Sequence, residues 1–174
     1  MCPRNPRSDL EAYTYFHVCA RGNAKQRIFV EDEDRLRYLQ MLERYRSRFL
    51  IEFFAYCLMS NHIHFLLKAH SIDRLSRYIH GLHSAYAMYF NLKYNRRGHL
   101  FEGRFRSWVI RDEGHFFLTK EYIENNPVKA GLISCGKKYP WGSVCGRRRR
   151  IITLSKVVSY IGTVPESENK TKYI

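Results

Sequence analysis

Nowhere in the 174 residues does an apolar run approach the roughly 20 that a membrane-spanning helix needs, so no segment reads as a helical span. No Cys-x-x-Cys pair occurs. The five cysteines (Cys2, Cys19, Cys57, Cys135 and Cys145) are odd in number, and no secretory leader is recognised. That pattern argues against a disulfide framework and for free thiols in a reducing cytoplasm. Acids are scarce: 16 Asp and Glu stand against 30 Lys and Arg, a net charge of +14 and a pI near 9.8. Such an excess calls for a polyanionic partner, nucleic acid before an anionic membrane surface. No internal repeat is visible, so no repeat architecture is expected.

What is present suits one folded domain. A hydrophobic content of 45% and an aromatic content of 15% are those of a globule with a real core. Residues 1–11 read as an N-terminal arm, 12–146 as the domain and 147–174 as a basic C-terminal extension. The β-branched and aromatic run Tyr13–Ala20 predicts a first strand. The acids Glu31–Asp34 open a helix whose dipole favours them, with Leu36, Leu39, Leu42 and Phe49 on one stripe. Ile51–Leu58 and His62–Leu67, joined by Ser60-Asn61, predict a hairpin. A second helix starts at Ser71 and buries Leu75, Ile79, Leu82, Tyr86 and Phe90. Ser107–Arg111 predicts a fourth strand. Asp112-Glu113-Gly114 opens a third helix, which Pro127 is expected to terminate. Ile151–Ile161 reads as a short helix or strand. The order of elements predicts an α/β (α+β) domain: a ferredoxin-like antiparallel sheet with helices packed mainly on one face, leaving the other partly free.

The stretch Met59-Ser60-Asn61-His62-Ile63-His64-Phe65-Leu66-Leu67 carries the most chemistry. On a strand, side chains alternate between faces, so His62 and His64 point the same way. Two neutral imidazoles on one sheet face can ligate one metal ion, although His-x-His also occurs on ordinary solvated strands. His17 is a lone strand histidine, a candidate third ligand or a structural residue. His80 and His83 have no acidic or thiol partner and read as surface or packing residues. On the third helix, Tyr122 and Asn126 are four apart and share a face. Phe116 and Ile123 would form the buried stripe there and leave Tyr122 exposed.

These segments, with Gly98-His99-Leu100-Phe101-Glu102-Gly103-Arg104-Phe105-Arg106-Ser107 and Tyr122-Ile123-Glu124-Asn125-Asn126-Pro127-Val128-Lys129-Ala130-Gly131-Leu132, resemble the HUH single-strand endonucleases. The resemblance covers most of residues 12–145 and is nearest to the IS200/IS605-like (Y1) transposases and the REP-associated tyrosine transposases. It implies a transposase that cuts and joins hairpin-flanked single-stranded DNA through a 5′-phosphotyrosine intermediate. Tyr122 would be the nucleophile, and His62, His64 and Asn126 would hold Mg²⁺ or Mn²⁺. Relatives often carry Gln where Asn126 stands, and Asn125 is the alternative ligand. A phenol, which titrates near pH 10, needs help from the metal or a neighbour as it attacks. Arg96, Arg97, Arg104, Arg106, Lys129 and the run Arg147, Arg148, Arg149, Arg150 are candidate phosphate contacts. Phe101, Phe105 and Trp141 could stack on bases or serve the core. His99 could act in catalysis, in DNA binding or in structure.

The resemblance also implies a cytoplasmic, nucleoid-associated protein. It acts as a monomer or homodimer, with monomer favoured because the motifs sit nearer the REP-associated group. Two rival readings use the same residues: a non-catalytic hairpin-binding module of this fold, and a hydrolase whose metal activates water.

Overall fold

The computed structural model describes residues 14–143. The expected arm, the extension with Arg147–Arg150, and Ile151–Ile161 lie outside the described residues. Along the chain run β1 (Thr14–Arg21), a short 3₁₀ turn (Asn23–Lys25), α1 (Asp32–Phe49), β2 (Glu52–Leu58), β3 (His62–Ala69), α2 (Ile72–Lys93), β4 (Arg106–Ile110) and α3 (Glu113–Lys129). The four strands form one antiparallel sheet in the order β2-β3-β1-β4.

Alternation assigns the two sheet faces. Phe16, Val18, Ile63, Phe65 and Leu67 are buried on one face, beneath α1 and α2. There the Tyr38 ring of α1 lies 6.4 Å from Phe65, and Tyr78 of α2 lies 6.2 Å from Phe53. The opposite face carries Tyr15, His17 and Cys19 of β1 beside His62, His64 and Leu66 of β3. The third helix lies across this second face, its Phe116 ring 5.4 Å from both Tyr15 and Phe54. Two helices thus share one face, while α3 lies over the histidines.

Helix starts follow local chemistry. Glu31 caps α1 through a reciprocal capping box with Asp34, and the hydroxyl of Ser71 accepts the Arg74 N–H at the start of α2. Asp112 does the same for α3, its Oδ1 accepting the His115 N–H at 2.8 Å.

The expected stop at Pro127 is corrected. The helix runs two residues further, to Lys129, with Pro127 buried inside it. A proline in a helix gives up its own bond to the carbonyl four residues back and crowds that carbonyl, but the residues after it keep their donors. The turn is closed beyond it by the Leu132 N–H on the Pro127 carbonyl (2.9 Å) and the Gly131 N–H on the Val128 carbonyl (3.0 Å). Gly131 sits at φ +69°, the left-handed position that this cap needs.

The sheet's two edges differ. Along β2, the Leu58 N–H donates to the Trp141 carbonyl and the Ser143 N–H to the Tyr56 carbonyl, each at 2.9 Å. Beyond β4 there is no partner strand among the described residues.

One buried charge ties the helical layer together. Asp34, fully buried, accepts the Val30 and Glu31 N–H groups at 2.9 and 3.0 Å and the Tyr94 hydroxyl at 2.8 Å, and pairs with Lys93 at 3.1 Å. Burial alone would raise its pKa; these donors more than offset it and hold the carboxyl below its ordinary value. A depressed pKa contributes stability that is complete above the unfolded carboxyl's range and lost as pH falls through the folded value. D34A is therefore expected to unfold about 3 kcal/mol more easily in urea at pH 7, and the gap to wild type should narrow below about pH 4.

Candidate active site

The β1–β3 register sets Cys19 against His64 and Arg21 against His62, and places both histidines beneath α3. His64 is only 6% exposed, whereas His62 is half-buried at the strand end. Their rings stand edge to face, 5.1 Å apart. Each imidazole is held through Nδ1. That of His62 meets the Asn61 side-chain oxygen at 2.7 Å, and that of His64 meets His17 Nε2 at 3.1 Å. This leaves the His64 Nε2 for another partner, while the second nitrogen of His62 faces the Asn126 side chain. Burial, then the neighbouring imidazoles, pushes His64 down to about 3; burial lowers His62 as well. Both are therefore neutral, with a lone pair to offer, at neutral pH.

The helix α3 completes the arrangement. Ile123 is fully buried with Thr119 and Pro127, and this seam turns Tyr122 out over the histidine face, 42% exposed. Its ring lies 5.7 Å from His64 and 5.9 Å from His17, both edge to face. Asn126, one turn on, donates Nδ2 to the Tyr122 carbonyl at 3.2 Å and is within side-chain hydrogen-bond reach of His62. With Nδ2 engaged, its Oδ1 is the acceptor left over. The helix passing through Pro127 keeps Asn126 in α geometry at this spot. Lys129 sits 5.0 Å above the Tyr122 ring.

Two imidazole nitrogens and an amide oxygen suit a divalent cation of intermediate hardness. Among the described residues no group of three His, Cys, Asp or Glu side chains converges as a ligand set, and of the two amides expected here Asn126 is the one within reach of His62. His17 does not join such a set; its Nε2 is turned to His64.

The basic candidates divide. Arg106 is exposed on β4, opposite Cys19, and Lys129 overhangs Tyr122, so both border the site. Arg97 and Arg104 are exposed in the segment between α2 and β4. Arg96 is occupied structurally: it bonds the Gln26 side chain and lies 5.6 Å over the Phe90 ring. Phe101 and Trp141 are buried, so neither is a free stacking surface, and Phe105 is half-buried. His83 is a packing residue that stacks on Phe101 at 4.1 Å and meets the Tyr38 hydroxyl at 3.1 Å. His80 is exposed, and so is His99, whose carbonyl accepts from Gln26.

Two residues at the site escaped the sequence reading. Trp108, 38% exposed, is paired with His17 across β1–β4 and lies 5.2 Å from its ring. Arg21 ends β1 directly opposite His62. Alternation along Arg106, Trp108 and Ile110 held the signal for Trp108, but the pairing of β4 with β1 was needed to read it.

No described helix is long and apolar enough to cross a membrane. No curated protein sequence matches the chain. Among solved structures, a REP-associated tyrosine transposase bound to a REP hairpin superposes with a TM-score of 0.60 at 18% identity, covering 81% of this chain and 82% of that one. A crystal structure assigned to a transposase of Deinococcus radiodurans R1 covers 71% and 97% at 18% identity, with a TM-score of 0.46. The family described as "Transposase IS200 like" matches residues 12–126, which span β1 to the Asn126 turn of α3. The chain belongs to the IS200-like transposase family.

Proposed function

We propose that this transposase is a metal-dependent single-strand DNA transesterase, with Tyr122 as nucleophile and His62, His64 and Asn126 as metal ligands. The observation that carries the reading is the convergence of an exposed helix tyrosine and the Asn126 side chain on two neutral histidines, each held through Nδ1. A bound Mg²⁺ or Mn²⁺ would act as a Lewis acid toward the scissile phosphate.

The chain's own residues do the rest. The Tyr122 oxygen attacks phosphorus and loses its proton, the bond to the 3′ oxygen breaks, and that oxygen leaves as a hydroxyl. A 5′-phosphotyrosyl enzyme results. The ester linkage is conserved, so reversal onto another 3′-hydroxyl joins strands without a nucleotide cofactor. The Lys129 ammonium beside the ring favours negative charge as it builds on the phenol oxygen. Arg21 and Arg106 supply positive charge at the site's border for the approaching phosphates. A hairpin substrate is proposed by analogy with the solved relative, which is bound to one.

Labelled hairpin DNA from the gene's own flanks, incubated with Mn²⁺, should give an SDS-resistant protein–DNA adduct. Tyr122→Phe, His64→Ala and chelation should each abolish the adduct, while salt-dependent hairpin binding persists in all three. Binding without any adduct from the wild type would favour the non-catalytic module. Free cleavage surviving Tyr122→Phe would mean that water is the nucleophile. Lys129→Ala should slow adduct formation roughly tenfold in a single-turnover assay, about 1.4 kcal/mol, with a smaller effect on hairpin affinity.

A further inference from the structure

His17 contributes nothing to the chemistry above, yet it occupies the centre of the site face. Its ring lies between His64 (centroids 5.3 Å apart, 26° between planes) and Trp108 (5.2 Å, 31°), with the Tyr122 ring at 5.9 Å. Its Nε2 meets His64 Nδ1 at 3.1 Å, and it is largely buried.

Two neutral imidazoles joined by one hydrogen bond have two arrangements. In the first, His64 Nδ1–H donates to the His17 Nε2 lone pair, and His64 Nε2 is free to ligate. In the second, His17 Nε2–H donates to His64 Nδ1; the His64 proton then sits on Nε2, and that atom cannot bind a metal. The partner ring thus decides whether His64 is competent. Liganding histidines commonly have their second nitrogen fixed in this way, usually by a carboxylate or carbonyl. Here the acceptor is another imidazole, itself clamped by an indole.

We infer that His17 is a positioning residue: it accepts the His64 Nδ1–H, fixes that ring's tautomer and plane, and so presents Nε2 beside His62 and Asn126. The inference rests on reading His64 as a metal ligand. Trp108 holds His17 in the plane that this bond requires.

The test needs no activity. Long-range ¹H–¹⁵N spectra of the metal-free protein should show His64 as the Nδ1–H tautomer. His17→Phe keeps an aromatic ring against Trp108 but removes the acceptor, and should yield a mixture of His64 tautomers. Mn²⁺ affinity, followed by electron paramagnetic resonance, should fall roughly 10- to 100-fold in that variant. His17→Gln, whose side-chain oxygen reaches the Nε2 position, should recover most of both signals. A wild-type His64 protonated at Nε2, or unchanged tautomer and Mn²⁺ affinity in His17→Phe, would overturn the role of His17. Unchanged Mn²⁺ affinity in His64→Ala would instead overturn the ligand reading on which it stands.

Discussion

The antiparallel register of β1 against β3 governs everything else in the molecule. Cys19 opposite His64 and Arg21 opposite His62 place His17 and both paired histidines on one face. A slip of one residue would exchange faces, burying histidines under α1 and exposing Phe65 and Leu67 to the tyrosine helix. The register is enforced by burial. Phe16, Val18, Ile63, Phe65 and Leu67 all lose solvent together beneath two helices, and a one-residue slip would expose them together.

Charge is sorted by the same two-sided construction. The acids Glu31, Glu33 and Asp34 gather around Lys93, where α1 and α2 meet, and satisfy one another there. The histidine face has neutral imidazoles bordered by Arg21, Arg106 and Lys129. Neutral rings are what such a face can tolerate, because a protonated His64 would be desolvated among cations. The electrostatic asymmetry leaves the site receptive to an anion without a buried positive charge at its centre.

Much of this was legible in the chain. Period-two alternation identified the His-x-His face, helical spacing put Tyr122 and Asn126 together, and the acids before Leu36 marked a helix start. Failures have a common origin in contacts between residues distant in sequence. Pro127 reads locally as a breaker, but burial of its ring and the Gly131 cap carry the helix past it. Arg96 reads as a free cation until Gln26, 70 residues away, is found holding it. Trp108 and Arg21 become site residues only once strand pairing is known. Aromatics that looked available for bases, Phe101 and Trp141, were claimed by packing against His83 and Arg35.

The unequal edges of the sheet bear on how the protein behaves in concentrated solution. An open strand edge offers unpaired amides and carbonyls to any other extended chain, the usual start of lateral aggregation. Here the longer edge, β2, is sealed by the Trp141–Ser143 backbone. Among the described residues, the edge left open is a strand of only five residues that begins with an exposed arginine. A short edge that carries a charge is a poor template for such pairing, so lateral association along β4 is disfavoured.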